Sequence, residues 1–418
     1  MKEKIEQVEQ IAEKYGQEHL LQIYNRLSSE AEKQALLDDI LTIDFKQVEK
    51  LYDSSKEKPS FKEFKIEPIG YVDKSKLSKE EYDEYERIGT DVIKSGKLAV
   101  VTMAGGQGTR LGHSGPKGTF DLGLDTHKSI FEILTDILID ARKKYGVDIP
   151  WYIMTSDENN EETTEFFEEH NYFGYPKSCV TFFKQGKLPM LSTDGKVLIN
   201  EAGRVKEAAD GHGGIFKSLL KDGMIYDMKA RGIEWVFIGG VDNVLVKPVD
   251  PVLIGLSVKK NVPAAVKSIV KAHPHEKVGV FCKRNGKPSV IEYSEISTEM
   301  AEELDENGEL KFGESNTLNN LFKLDAIEKV AEIDLPYHIA VKKASYLDEN
   351  GNVFVPSEPN AYKFEAFLFD AFEILDDIAV LRVKREEEFA PVKNAEGADS
   401  PETARELYLN YHKNNDNK

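Results

Sequence analysis

Cysteine is scarce: the 418 residues hold two, Cys179 and Cys282. They form no CxxC pair and no metal-ligand spacing, which removes the usual cysteine-based metal and redox sites. The count fits a reducing compartment, with one disulfide between them as the alternative. Long apolar runs are missing too. No stretch approaches the roughly 20 residues needed to cross a bilayer. The opening MKEKIEQVEQ is charged and lacks the apolar core of a secretory signal. A soluble, cytoplasmic protein with no membrane partner is expected. Basic charge is in deficit, with 55 Lys and Arg against 74 Asp and Glu, a net charge of −19. That balance argues against a broad electrostatic surface for nucleic acid or anionic lipid. A site for a polyanion must then be a local basic pocket on an acidic body. No internal repeat or low-complexity tract stands out.

What is present is organised around residues 98–119, LAVVTMAGGQGTRLGHSGPKGT. The apolar run Leu98–Met103 reads as a buried strand. It enters a loop holding Gly105, Gly106, Gly108 and Gly112, with Thr109, Arg110 and Lys117. Glycines let a backbone bend tightly and bring its N–H groups close to a ligand. Two fixed cations in such a loop suit a polyanion such as a nucleoside triphosphate. The familiar phosphate motifs do not fit. Walker A needs glycine directly before its lysine, and Pro116 precedes Lys117. GxGxxG from Gly106 needs glycine where Leu111 stands.

Either side of this loop the chain divides. Residues 1 to about 55 read as helices: Ile5, Val8, Ile11 and Ala12 recur at helical spacing, as do Leu20, Ile23, Tyr24 and Leu27. Asp44 is placed to cap a short helix bearing Val48 and Leu51. Residues 53–65 read as a polar linker, followed by a helix leading into the loop. From 98 to about 280 strands and helices alternate, which means a mostly parallel sheet covered on both faces. Strands are expected at Leu98–Met103, Trp151–Thr155, Val180–Phe183, Trp235–Ile238 and Ala264–Val270. Helices are expected at Ser129–Tyr145, Glu158–His170 and Pro251–Lys259. Ligands of such sheets bind beyond the carboxyl ends of the strands. VGVFC and KPSVIEYSEIS, joined by an RNGKP turn, read as β-structure from about 278 to 300. A mixed region runs to about 376. The last unit has a strand IAVLRVKREEEF, a loop APVKNAEGADSP and a helix begun by Pro401.

Other residues carry candidate chemistry. Asp242 follows a strand within GGVDN; a carboxylate there could hold Mg²⁺ against a nucleotide phosphate, or make a turn hydrogen bond with Asn243. The glycines around His212 in ADGHGG, Gly211 among them, could bring main chain against a base or sugar, or form a helix-entry loop. Gln185 could read a base edge with donor and acceptor together, or belong to a polar hairpin. Glu292 and Tyr293 alternate on a strand, so only one would face a given cleft. Lys363 and Lys393 are further cations near chain turns.

Together these segments resemble the eukaryotic-type UDP-N-acetylhexosamine pyrophosphorylases, within the wider UDP-sugar pyrophosphorylases. The resemblance runs from about 90 to 410. It rests on ordered blocks that include AGGQGTRLGHSGPKG, FFKQGKLP, ADGHGG, GGVDNVLVKPVDP, VIEYSEIS, ESNTLNNLF, PNAYKFEAFLFD and LRVKREEEFAPVKNAEG. It implies an α/β fold with a central, mostly parallel nucleotidyltransferase sheet (Rossmann-like, GT-A-like). The chain then divides into a helical N-terminal segment (1–90), a catalytic domain (91–376) and a small C-terminal domain (377–418). It implies uridylyl transfer from UTP to a sugar 1-phosphate, N-acetylglucosamine 1-phosphate foremost, with release of pyrophosphate. A UDP-glucose or UDP-galactose type enzyme and a non-catalytic UDP-sugar binder are the alternatives.

Carried over by motif, Gly105, Gly106, Gly108, Thr109 and Gln185 would hold the uridine, with Gly211 near the base. Arg110 and Lys117 would take the triphosphate and then pyrophosphate, and Asp242 would lie beside Mg²⁺. Gly279, Glu292, Tyr293 and Asn316 match sugar-holding positions. Lys363 matches a lysine that contacts the phosphates, and Lys393 matches one reaching in from the C-terminal domain. The departure is His212: N-acetylhexosamine enzymes typically have asparagine there, and UDP-glucose enzymes have histidine in a comparable GHG loop.

Overall fold

The computed structural model describes residues 2–56 and 64–416. The chain folds as two compact units. The smaller takes residues 1–63, 186–214 and 335–368; the larger takes 64–185, 215–334 and 369–418. Compactness therefore groups the chain from separated segments, where the reading in chain order gives three consecutive ones. Of the polar linker expected at 53–65, residues 57–63 lie outside the described residues.

In the larger unit the alternating segments form an 11-stranded sheet. Its main path runs Val72–Asp73, Ile378–Arg382, Ala264–Val270, Glu314–Lys323, Trp235–Gly240, Leu98–Met103, Trp151–Thr155, Val180–Lys184. Neighbours on this path are parallel except where Glu314–Lys323 pairs on either side. Every residue of Leu98–Met103 and of Trp151–Thr155 is buried. That is why these strands read as unbroken apolar runs rather than alternating ones.

The helices start where their polar residues say. Ser78 and Glu81 form a capping box for Lys79–Lys94, and the Ser129 hydroxyl accepts from Glu132 N–H at the head of Ile130–Tyr145. Asp250 caps Pro251–Lys260 with proline at its first position. The helix Lys79–Lys94 meets Pro251–Lys260 backbone to backbone. A Cβ on Gly89 would fall 1.9 Å from the Pro251 carbonyl oxygen, and one on Gly255 1.9 Å from that of Tyr85.

Some expectations fail. The strand at 287 ends at Ile291, so Glu292 and Tyr293 lie in a turn and the pleat argument does not apply to them. The Glu292 carbonyl accepts from Glu295 and Ile296 N–H, and the Glu295 carboxylate accepts from Glu292 N–H; local bonds replace the ladder. The strand expected over IAVLRVKREEEF is Ile378–Arg382 only, and Arg385–Glu388 forms a helical turn. Glu386 and Glu387 near the amino end of that turn suit its positive pole. The antiparallel strand Glu314–Lys323 lay hidden in the mixed region, because ESNTLNNLFK lacks an apolar run. Both cysteines are buried and free, which ends the disulfide alternative. The RNGKP turn is as expected, with Asn285 and Gly286 both at positive φ, 51° and 83°.

The smaller unit begins with four helices, Lys2–Tyr15, His19–Arg26, Glu30–Thr42 and Phe45–Lys56. Asp44 caps the fourth, accepting from Lys46 and Gln47 N–H. Val8, Leu20, Ile23, Leu37 and Ile40 share one core with Leu191, Val197, Ile199 and Phe364. A buried glutamine, Gln17, accepts from Val197 N–H and donates to the Gly195 carbonyl. Arg204 grips Asp39 through two guanidinium nitrogens, at 2.6 and 2.5 Å. A three-stranded antiparallel sheet, Tyr337–Lys342, Ala361–Ala366 and Leu191–Ser192, completes the unit. Among the described residues no helix is long and apolar enough to cross a membrane.

Candidate active site

Four parallel strands of the larger unit end side by side, and each delivers a loop at its carboxyl end. Leu98–Met103 opens into the glycine-rich loop. The loop folds back on itself: Gly108 N–H donates to the Gly115 carbonyl at 2.8 Å and Lys117 N–H to that of Gly106 at 3.1 Å. Gly112 turns it at φ 71°. Gly106 and Thr109 are exposed, and a Cβ on Gly106 would meet open space. Gly105 is different. A Cβ there would lie 2.8 Å from Gln185 Oε1 and 3.6 Å from Ser156 Cβ. Gly105 and Gln185, paired by expectation around one base, are thus neighbours.

A support residue was missed at this point. Asn159 is fully buried. Its amide donates to the Ala104 carbonyl at 2.9 Å, while its oxygen accepts from Ser156 N–H at 2.8 Å. It pins the root of the loop to the next strand's loop. Nothing in TSDEN marks which polar side chain turns inward.

The cations gather on the carboxyl side of the same strands. Lys117 Nζ lies 3.9 Å from Asp242 Oδ2. Burial pushes the Lys117 ammonium below the usual lysine value; Asp242 opposes this, while Lys393 and Arg110 add to it. Arg110 and Lys393 therefore both act on Lys117 here, as a polyanion pocket requires. Arg110 is exposed and has no carboxylate partner among the described residues. Asp242 is held by the C-terminal segment: Val392 N–H donates to its carbonyl at 2.8 Å. Asn243 does not bond the Asp242 side chain. Its oxygen accepts from Leu245 and Ala390 N–H, and its amide donates to the Glu388 carbonyl. Lys393 follows directly, its ammonium 4.0 Å from Asp399.

A third group meets at the start of Glu314–Lys323. Asn316 N–H donates to the Gly279 carbonyl at 2.8 Å. A Cβ on Gly279 would lie 2.9 Å from Glu292 Oε1. The Asn316 side chain accepts from Leu318 N–H at 2.9 Å, and Leu318 is a non-glycine residue at φ 58°. Such strain concentrates at functional sites. Tyr293 is half exposed on the adjoining turn.

The smaller unit carries the remaining candidates. Gly211 has φ 84°, and a Cβ there would fall 2.3 Å from the Ala366 carbonyl oxygen. His212 Nδ1 accepts from Leu368 N–H at 3.0 Å, which puts the proton of the neutral ring on Nε2. Its ring stacks on Phe367, which stacks in turn on His338. Lys363 is ion-paired with Glu365, two residues along the same strand, at 2.7 Å. Among the described residues no three His, Cys, Asp or Glu side chains cluster as a metal cage.

The family model described as UTP–glucose-1-phosphate uridylyltransferase matches residues 43–403. The chain belongs to this family. It is therefore a nucleotidyltransferase of the UDP-sugar pyrophosphorylase group. It is 41% identical over 406 residues to the UDP-N-acetylglucosamine pyrophosphorylase of Saccharomyces cerevisiae, covering 94% of this chain and 84% of that one. It is 39% identical over 420 residues to UDP-N-acetylglucosamine diphosphorylase 2 of Arabidopsis thaliana, covering 95% and 82%. Among solved structures it is similar to the uridine diphosphate N-acetylglucosamine pyrophosphorylase of Trypanosoma brucei. The TM-score there is 0.81 at 32% identity, over 96% of this chain and 84% of that one. UDP-glucose pyrophosphorylase of Leishmania major, at 17% identity and a TM-score of 0.67, shares the fold.

Proposed function

We propose that this uridylyltransferase joins UTP to N-acetylglucosamine 1-phosphate, giving the UDP-sugar and pyrophosphate. The observation that supports this best is the gathering of three candidate groups at one end of the sheet. They are Gly105 with Gln185, Lys117 with Asp242, Arg110 and Lys393, and Gly279 with Glu292 and Asn316. The relatives' names favour the N-acetylated sugar. His212 favours a second reading, in which glucose and galactose 1-phosphates are also accepted.

A phosphate oxygen of the sugar 1-phosphate attacks the α-phosphorus of UTP in line. The bond from that phosphorus to the bridging oxygen breaks, and pyrophosphate leaves. The attacking oxygen is already anionic near neutral pH, so no general base is required. The obstacle is repulsion between two polyanions. Arg110 and Lys117 offset it and stabilise the charge that builds on pyrophosphate. Lys393 adds to them. Gly105, Gly106, Gly108 and Thr109 present main chain to the nucleotide, and Gln185 holds the base. Glu292, Tyr293, Asn316 and Gly279 hold the sugar. One carboxylate beside a triphosphate pocket fits Mg²⁺, which takes one or two protein carboxylates plus phosphate oxygens and water. Asp242 would hold it, and the ion would supply charge neutralisation there. The two free, buried cysteines suit a cytoplasmic setting.

Pyrophosphate release from UTP with Mg²⁺, across a panel of sugar 1-phosphates, tests the proposal. N-acetylglucosamine 1-phosphate should rank first. Preference for ATP over UTP would remove the base assignment.

A further inference from the structure

Lysine in the middle of a strand buried at every residue but its last is an outlier. Lys267, on Ala264–Val270, has no exposed side-chain surface. Its ammonium lies 2.8 Å from Asp250 and 2.5 Å from Glu388, and donates to the Lys247 carbonyl at 3.2 Å. Lys74 completes the set, 2.8 Å from Asp250 and 3.6 Å from Glu388. Two cations and two carboxylates thus alternate, with Lys267, Asp250 and Glu388 buried and Lys74 partly exposed. Burial alone would raise the Asp250 carboxyl; Lys267 and Lys74 outweigh it and hold it well below the usual carboxylate range.

Such groups are a poor source of stability, because desolvation can exceed the attraction, and apolar replacement is often neutral or favourable. Their placement supplies another reason. Glu388 begins the strip that is stitched to the Asp242 turn. Its carbonyl accepts from Asn243, Ala390 N–H donates back to Asn243, and Val392 N–H donates to the Asp242 carbonyl. Lys393 is the next residue.

We propose that Lys74, Asp250, Lys267 and Glu388 form an ionic anchor that positions Lys393 and the Asp242 turn against Lys117. The inference rests on the uridylyl-transfer reading for its kinetic consequence, but not for its binding consequence. None of the four touches substrate in this account; they are positioning residues. A displacement on the order of 1 Å at a reacting centre can cost roughly 100-fold in rate.

The test uses the charge-balanced double variant Lys267→Met/Glu388→Gln, which leaves Lys74 paired with Asp250. Its melting temperature should stay within a few degrees of wild type, while kcat falls about 10- to 100-fold and KM for UTP changes little. Calorimetric binding of inorganic pyrophosphate should weaken by about the factor that Lys393→Ala causes, and combining the changes should add little, as expected for one pathway. Glu388→Asp, which keeps the charge and shortens the reach, should show a smaller loss with the same non-additivity and serves if the double variant does not fold. Wild-type kcat and pyrophosphate binding in a folded anchor variant would overturn the proposal, as would losses that multiply with Lys393→Ala. A wild-type chain inactive toward every sugar 1-phosphate defeats the transfer reading instead, and pyrophosphate binding still tests the anchor.

Discussion

The phosphate end and the sugar end of the candidate site are built from different materials. At the phosphate end, Arg110, Lys393 and Asp242 all act on Lys117, behind them lies the ionic anchor, and glycines leave the backbone open. At the sugar end, Gly279 and Asn316 are joined main chain to main chain, Asn316 supports a strained Leu318, and Glu292 in a turn is the charged group among the candidates. The first arrangement suits stabilising charge that develops during reaction; the second suits holding a neutral ring by shape and hydrogen bonds. Rate should therefore be lost at one end and selectivity at the other.

The largest effect is expected from the loop cations. Arg110→Ala and Lys117→Ala should each lower kcat about 100- to 1,000-fold, the range seen when one donor to a developing oxyanion is removed. Near-normal turnover in a folded Arg110→Ala protein would break the comparison. Asn316→Ala should instead act on choice, narrowing the kcat/KM ratio between N-acetylglucosamine and glucose 1-phosphates by about 10- to 100-fold, as when a buried polar contact is lost. Equal losses for both sugars would give Asn316 a folding role.

How far this contrast was legible in the sequence follows the same divide. The phosphate end announced itself, because glycines, arginine and lysine after an apolar strand have few other uses in one loop. The parallel strands were legible because burial on both faces leaves an unbroken apolar signature. The sugar end came only from the resemblance. Its strand Glu314–Lys323 carries asparagines on a buried path, bonded to neighbours that no local pattern reveals, and Leu318 breaks its alternation. Glu292 and Tyr293 were placed on a strand because they continue the β-rich run KPSVI, whereas the strand stops at Ile291 and the Glu295 carboxylate closes a turn there. The anchor was invisible for another reason: Lys74, Asp250, Lys267 and Glu388 are distant in sequence, and each passes for a surface charge.

Smaller effects sharpen the comparison. Lys117 sits below the ordinary lysine value through burial first, so it sheds its proton earlier as pH rises. The alkaline limb of kcat/KM should fall below the ordinary lysine pKa of about 10.4. Lys117→Arg should push that limb upward, since guanidinium stays charged. An unmoved limb would assign it to another group. The smallest change is His212→Asn, which should shift the sugar ranking by less than about tenfold, since one side chain in a binding pocket discriminates modestly. An unchanged ranking would make the departure neutral.

The central claim is one direct displacement at the α-phosphorus, driven by fixed cations. The most direct measurement is the stereochemical course with UTP made chiral at that phosphorus by sulfur. The account expects inversion in the UDP-sugar product. Retention, the mark of two displacements through a covalent uridylyl-protein, would contradict it.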